Sequence, residues 1–277
     1  MQLAIGTANF GNRYGINKIL LNEKEISRIL LTAKKLKIKY LDTAFNYGES
    51  LNLLSKFNLK YFKISSKIII KKEDNKFILL SIKKKIDNLK IHNFHEIMIH
   101  NFYEMNKEDI KRFIPLILSI KEQKLAKKIG ISIYDSSELE KTWDIWKPDI
   151  IQLPLNIFDR RFLNNKWIKK IYNNNIEVHV RSIFLQGLLL KNCDSVFSCA
   201  KNITNEFSKW SIKKNISKLE ACINFIKNCK KIDRVIFGIE GNKQLLELNK
   251  IFHNKKNDIF PENIFSNNLN IIDPRLW

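Results

Sequence analysis

The sequence predicts a (β/α)8 barrel, with residues 1–277 as a single domain, and three observations carry that expectation. Short, nearly all-apolar strand patterns alternate with amphipathic helix patterns eight times along the 277 residues, as in a parallel sheet buried on both faces. No GxGxxG follows the first strand, whereas an open doubly wound sheet would usually carry one there. The eight glycines, Gly6, Gly11, Gly15, Gly48, Gly130, Gly187, Gly238 and Gly241, all fall at or just after the C-terminal end of a predicted strand. Glycine is required where φ is positive or where a ligand approaches the backbone closely. Its restriction to one rim marks that rim as the binding face, which is where barrels of this class place their sites.

Taken in order, residues 3–6 form the first strand. The stretch NEKEISRILLTAKKL is a helix with Asn22 as N-cap and Glu25 three residues later. Ile26, Ile29, Leu30, Ala33 and Leu36 share one of its faces. Strand 38–42 leads to a short helix at 49–56, and strand 62–68 to helix 76–90, which turns Leu79, Ile82, Ile86 and Leu89 inward. Strand 96–100 precedes helix 107–124, strand 128–132 precedes helix 136–145, and strand 149–153 precedes helix 159–173. Strand 176–182 enters a long irregular loop, followed by one helix over 208–228. Strand 234–238 and helix 242–252 complete the eight units.

Composition narrows the function. Apolar residues make up 44% of the chain, enough for a sizeable core. The longest apolar runs fall well short of the ~20 residues that span a bilayer. The first residues, MQLAIGTANF, read as a strand and its loop rather than a leader, so a soluble, cytoplasmic protein is expected. The net charge of +21 comes from lysines spread over nearly every helix. They accompany abundant Ile and Asn, which share A/T-rich codons with Lys, and no nucleic-acid motif is present, so no nucleic-acid partner is expected. Cys193, Cys199, Cys222 and Cys229 lack CxxC spacing, and Cys222 and Cys229 read as packing residues of one helix. His92, His95 and His100 lie close together, but no carboxylate or thiol completes a zinc set. No metal is expected.

The polar residues at strand ends are the informative ones. LDTAFNYG gives Asp42 and Tyr47, KISSK gives Lys67, and MIHN gives His100. With GTANFG at strand 1, IGIS at strand 5, IIQLPLNIFDRR at strand 6, VRSIFLQGLLL at strand 7, GIEGNKQLLE at strand 8 and the terminal IDPRLW, the sequence resembles the aldo-keto reductases. It is most similar to small bacterial members found among sugar and surface-polysaccharide genes. The resemblance implies a catalytic tetrad of Asp42, Tyr47, Lys67 and His100, and NADPH or NADH bound across the barrel top. In that arrangement Ser132 and Gln152 hold the carboxamide. Arg181, with Ser182 through Leu188 (Leu185 and Gly187 included), lies along the pyrophosphate. The segment from Gly238 to Glu247, with Glu240, Asn242 and Gln244, holds the adenosine end. Three positions depart from the family pattern. Ile133 stands where a second polar carboxamide partner is common, Leu51 where a glutamate is, and Leu248 where an asparagine is, with Asn249 one residue later.

The chemistry gives those residue types a reason to meet. Reducing a carbonyl by hydride transfer leaves an alkoxide that must be protonated, and Tyr47 can supply the proton. A phenol ordinarily titrates near ~10. A Lys67 ammonium about 4 Å away would favour the phenolate by up to about 4 kcal/mol, bringing Tyr47 near working pH. Asp42 would hold Lys67 charged, and His100 would orient the carbonyl oxygen. Two other functions use the same residues: an aldolase with Lys67 as a Schiff base, and a regulatory subunit that binds cofactor without turnover. The expected substrate is a small carbonyl compound, with sugar derivatives among the candidates. The short stretch after the last helix argues against a long C-terminal lid. Nothing in the sequence sets an oligomeric state.

Overall fold

Eight strands, all parallel, close into a barrel in sequence order in the computed structural model, which describes residues 1–70, 75–164, 166–192, 194, 196–254 and 259–277. They are β1 (Gln2–Gly6), β2 (Tyr40–Asp42), β3 (Lys63–Ile68), β4 (Phe94–Ile99), β5 (Ala126–Ser132), β6 (Ile150–Pro154), β7 (Glu177–Arg181) and β8 (Arg234–Gly238). β1 closes the sheet by pairing with both β2 and β8. This puts Gly6 level with Asp42 on one side and with Gly238 on the other. Ser132 of β5 is likewise level with Gln152 of β6. Polar residues far apart in sequence therefore share one rim.

The helices α1 (Glu23–Lys35), α2 (Ser50–Leu54), α3 (Asn75–Leu89), α4 (Lys107–Glu122) and α5 (Ser137–Thr142) follow the first five strands. α1 buries Ile26, Ile29, Leu30 and Ala33 on the face its periodicity indicates, and Asn22 accepts the Glu25 N–H at 2.9 Å. The expected helix at 159–173 is instead two: α6 (Arg161–Asn164) and α7 (Trp167–Asn173), with Lys166 left-handed at φ 62°. The expected helix at 208–228 also divides, into α8 (Lys201–Lys213) and α9 (Lys218–Asn228). Asn215 takes φ 50°, which asparagine tolerates better than most residues. Ser217 then starts a new helix by accepting the Glu220 N–H at 3.1 Å. That S-x-x-E pattern is readable in the sequence and outweighs the continuous amphipathic period. After β8 come α10 (Asn242–His253) and α11 (Leu269–Ile272).

The N-terminal half of the barrel interior holds charge rather than apolar side chains. Glu96, fully buried, accepts from Arg234 Nη1 at 2.6 Å and from Ser65, and His179 Nδ1 stands 3.8 Å away. Tyr40 lies under the Arg234 guanidinium, 3.7 Å from it. Burial alone would push the Glu96 carboxyl up; His179 and Arg234 more than reverse this and hold it below the usual carboxylate range. Glu177, which meets His179, is also paired with Lys128. Arg234 and Lys128 thus match Glu96 and Glu177, with His179 between the two carboxylates. Arg234→Met would leave Glu96 as a buried, uncompensated charge and is expected to cost about 3–5 kcal/mol of unfolding free energy, measured by urea denaturation. The double variant Glu96→Gln/Arg234→Met should recover most of that loss. A single variant as stable as wild type would show that His179 alone balances the carboxylate.

His92, His95 and His100 do not cluster. His95 is near the start of β4 beside Glu96, whereas His100 follows its end, about 16 Å further along a strand. Gly130 also departs from the rim pattern. It lies inside β5, where a Cβ would come within 2.7 Å of Ile150 O, so its reason is packing. The C-terminal segment does reach the rim, contrary to the expectation from its length. Ser266 N–H donates to Phe158 O at 2.9 Å, and Ile271 and Ile272 are buried. Arg275 stacks on Tyr134 at 3.7 Å and on Tyr103 at 4.9 Å. Among the described residues, no helix is long and apolar enough to cross a membrane.

Candidate active site

Asp42 ends β2, and Lys67 sits one residue from the end of β3, so the parallel register brings both to the barrel mouth. Lys67 Nζ is 2.5 Å from Asp42 Oδ1 and donates to Thr43 O at 3.1 Å. The lysine is 1% exposed, so its charge depends on that carboxylate. The other Asp42 oxygen accepts from Gln152 Nε2 at 2.8 Å. Tyr47 lies over the pair, with its ring centroid 5.3 Å from Lys67 Nζ, and His100 meets its edge at 5.9 Å between centroids. The three strand-end residues and Tyr47, in the loop after β2, do converge.

Local sequence holds Tyr47 in place. Asn12 Nδ2 donates to Tyr47 O at 2.5 Å, and Gly48 next to it has φ 43°. A Cβ on Gly48 would lie 2.0 Å from Asn12 Oδ1, so only glycine lets the two loops close around Tyr47. His100 Nδ1 is 2.9 Å from the Asn46 amide oxygen. For His100 to donate from Nε2 to a carbonyl, its Nδ1 must accept, so Asn46 must turn its NH2 to Nδ1, a half-turn exchanging amide O and N.

The electrostatics correct one expectation. Burial, reinforced by the Asp42 carboxylate, raises the Tyr47 pKa above the ordinary phenol range, with Arg181 opposing. Lys67 does not bring it near neutrality, because its charge is already matched by Asp42 at contact distance. Tyr47 is therefore a neutral phenol holding its proton. For His100, burial first, then the charges of Lys67 and Arg181, lower the pKa to about 3, so the ring is uncharged at any working pH.

A cavity runs from this group across the barrel mouth. Asp42, Tyr47 and His100 line it, with Arg181, Ser182 and Gly187 at and after β7, and Gly238, Glu240 and Gln244 at and after β8, the far end across the barrel from His100. A Cβ on Gly187 (φ 98°) would meet nothing within 4 Å, so the backbone is open to the cavity there. Ser182, Leu185 and Gln186 are also left-handed in this loop, at φ 59°, 47° and 54°. Such strain in non-glycine residues is stored where a site requires the shape.

Several expected ligand residues sit elsewhere. Leu185 is buried in the core, and Ser132 and Gln152 lie fully buried rather than on the cavity wall. Yet among the described residues Ser132 Oγ and Gln152 Oε1 have no hydrogen-bond partner, an arrangement that suits a carboxamide at the adjoining strand ends. At the far end the Asn242 N–H donates to Glu25 Oε1 at 2.7 Å. Glu25 therefore caps α10 rather than closing a capping box on its own helix. Glu240 accepts from Asn17 Nδ2 at 2.8 Å, and its N–H donates to Gln244 Oε1 at 2.7 Å. Three polar cavity residues went unforeseen in the sequence: Tyr14, Tyr134 and Asn9, whose buried Oδ1 has no partner among the described residues. They lie in loops after β1 and β5, where no periodicity marks an inward face.

A closed parallel barrel with a buried Lys–Asp pair beneath a tyrosine, opening into a long cavity at the strand C-termini, defines a class of oxidoreductase. Residues 2–262 match the Aldo/keto reductase family, and the chain belongs to it. As a member, it is an NAD(P)-dependent oxidoreductase. Its fold is similar to that of an aldo-keto reductase from Bacillus halodurans in its holo form, at 15% identity over 95% of this chain and 94% of that one, TM-score 0.74. It is also similar to a glycerol dehydrogenase from Gluconobacter oxydans, at 16% identity over 92% and 88%, TM-score 0.69. No curated protein matches the sequence.

Proposed function

We propose that this protein reduces a small carbonyl compound with NADH or NADPH, using Tyr47 as general acid. The observation that carries this reading is the 1% exposed Lys67, paired with Asp42 and set under the Tyr47 ring. When bound, the nicotinamide supplies the hydride. Tyr47 Oη gives its proton to the oxygen of the reacting carbonyl, so negative charge does not accumulate there. The Lys67 ammonium lessens the cost of the phenolate left behind without bringing the resting phenol near neutrality, and Asp42 keeps that ammonium aimed. The neutral His100 orients the carbonyl oxygen through Nε2. Ser132 Oγ and Gln152 Oε1 would hold the carboxamide, and Ser182 and Gly187 would flank the cofactor's phosphates. An aldolase reading fares worse, because Lys67 Nζ is committed to a carboxylate and a carbonyl and offers no lone pair to a substrate carbon. A cofactor-fluorescence titration followed by a panel of aldehydes and ketones, ketosugars included, tests the proposal. Cofactor binding without turnover of any carbonyl would favour the regulatory-subunit alternative.

The same reading assigns a cofactor preference. Glu240 lines the far end of the cavity, and the α10 N-terminus beside it is already capped by Glu25. Two carboxylates there oppose a 2′-phosphate, while Glu240 can accept a hydrogen bond from a free ribose hydroxyl. NADH should therefore be used appreciably. Glu240→Arg, which gains one charge-assisted contact and removes one repulsion, should raise the NADPH-to-NADH ratio of kcat/KM by about 10- to 100-fold. An unchanged ratio would place the adenosine end away from Glu240.

A further inference from the structure

Within the cavity, Asp42 is matched by Lys67, and Glu240 is held by Asn17. Arg181 is different. Its Nη2 donates to Ile133 O at 2.9 Å and its Nη1 to Ser182 Oγ at 3.2 Å, both uncharged acceptors. Arg234, Arg161 and Arg275 each rest on a carboxylate: Glu96, Asp159 and Asp273. Glu138 is close enough for its field to be felt, but its Oε1 accepts the Tyr134 and Asp135 N–H groups, and it makes no contact with Arg181.

The guanidinium is also held in a fixed plane. Its Cζ lies 4.2 Å from the Tyr134 ring centroid, and Arg275 backs that ring at 3.7 Å. Two guanidinium groups on one ring repel unless one is neutralised, and the buried Asp273 neutralises Arg275. Among the described residues, no carboxylate contacts Arg181. Arg181 lines the same cavity as Tyr47 and His100, and its charge acts on both. A half-buried cation on such a wall is screened less than one in bulk water and draws an anion.

We infer that Arg181, held by Tyr134, is an anion subsite for the substrate, and that the preferred carbonyl compound carries a carboxylate. This rests on the reductase reading above and names the substrate class within it. The rigid fork suits a planar carboxylate, which can accept two parallel N–H bonds. It also gives Arg181 a role other than the pyrophosphate contact expected from the family resemblance.

The test uses a near-isosteric pair, 4-carboxybenzaldehyde and the uncharged 4-formylbenzamide, with the whole protein and saturating cofactor. Wild type should favour the acid by at least about tenfold in kcat/KM. Arg181→Met should bring the two within about threefold of each other, and Arg181→Lys, which keeps the charge but not the fork, should fall between. A ratio independent of the overall rate is read, so a general loss of activity does not enter. Cofactor Kd is measured on the same proteins by fluorescence. Equal use of the two aldehydes by wild type, or a preference that survives in Arg181→Met, would overturn the inference. So would a loss confined to cofactor Kd, which would put the guanidinium on the pyrophosphate. Calorimetric titration of both compounds into the protein–cofactor complex separates this result from the reaction class. Absence of turnover for both would count against the reductase reading, and the binding ratio would then decide the subsite by itself.

Discussion

Tyr47→Phe is expected to lower kcat for carbonyl reduction by at least ~10²-fold, the scale typical of a lost general acid, while cofactor Kd stays close to wild type. The substitution keeps the ring that packs against His100 and lies over Lys67 and removes only the proton donor. The raised Tyr47 pKa sets the pH dependence. A group whose pKa is raised keeps its proton to higher pH, so the acid form persists through neutrality. His100, lowered to about 3, stays neutral over the same interval. The kcat for reduction should therefore be flat from about pH 6 to 9 and fall only above that. Near-normal turnover in Tyr47→Phe would remove the assignment. A falling limb near neutrality would mean that the bound complex brings the phenol down after all.

Lys67→Met should be as damaging to kcat, for a different reason. Without the ammonium, the phenolate left after proton transfer has no cation beneath it. The variant also leaves Asp42, 5% exposed, as a buried charge held only by Gln152, at a cost of about 3–5 kcal/mol. Lower activity alone could then reflect poorer folding. The double variant Asp42→Asn/Lys67→Met removes both charges and should regain most of the stability, as read by urea unfolding, while kcat remains at least ~10²-fold down. Recovery of activity together with stability would reduce the pair to a structural ion pair near a tyrosine. A Lys67→Met protein of normal stability would show that water or a protonated Asp42 replaces the ammonium at little cost.

Much of the rim was legible because strand ends are easy to find. Asp42, Lys67 and His100 are polar residues closing apolar runs, and parallel pairing places such ends on one circle whatever the side-chain packing. The helix boundaries were less legible. The break between α8 and α9 turns on Asn215 and Ser217, a local competition that a continuous amphipathic period conceals. The C-terminal segment was misjudged, since its reach depends on where Arg275 finds Tyr134 and Tyr103 rather than on its length.

What the sequence determined by itself was the alternation of eight strands and helices and the residue types at their ends, because period and apolar content act along the chain. The tertiary structure alone decided how those residues share their charges and hydrogen bonds. Gln152 was expected to reach toward a cofactor, and its Nε2 is taken by Asp42, which leaves only Oε1 for that role. Glu25 was expected to cap its own helix and instead caps α10, 217 residues away. Arg181, expected on the pyrophosphate, stacks on Tyr134 and donates to two uncharged acceptors, Ile133 O and Ser182 Oγ. Each outcome depends on which buried donor or charge finds a partner within hydrogen-bond distance. Barrel closure creates those distances, and no local pattern encodes them.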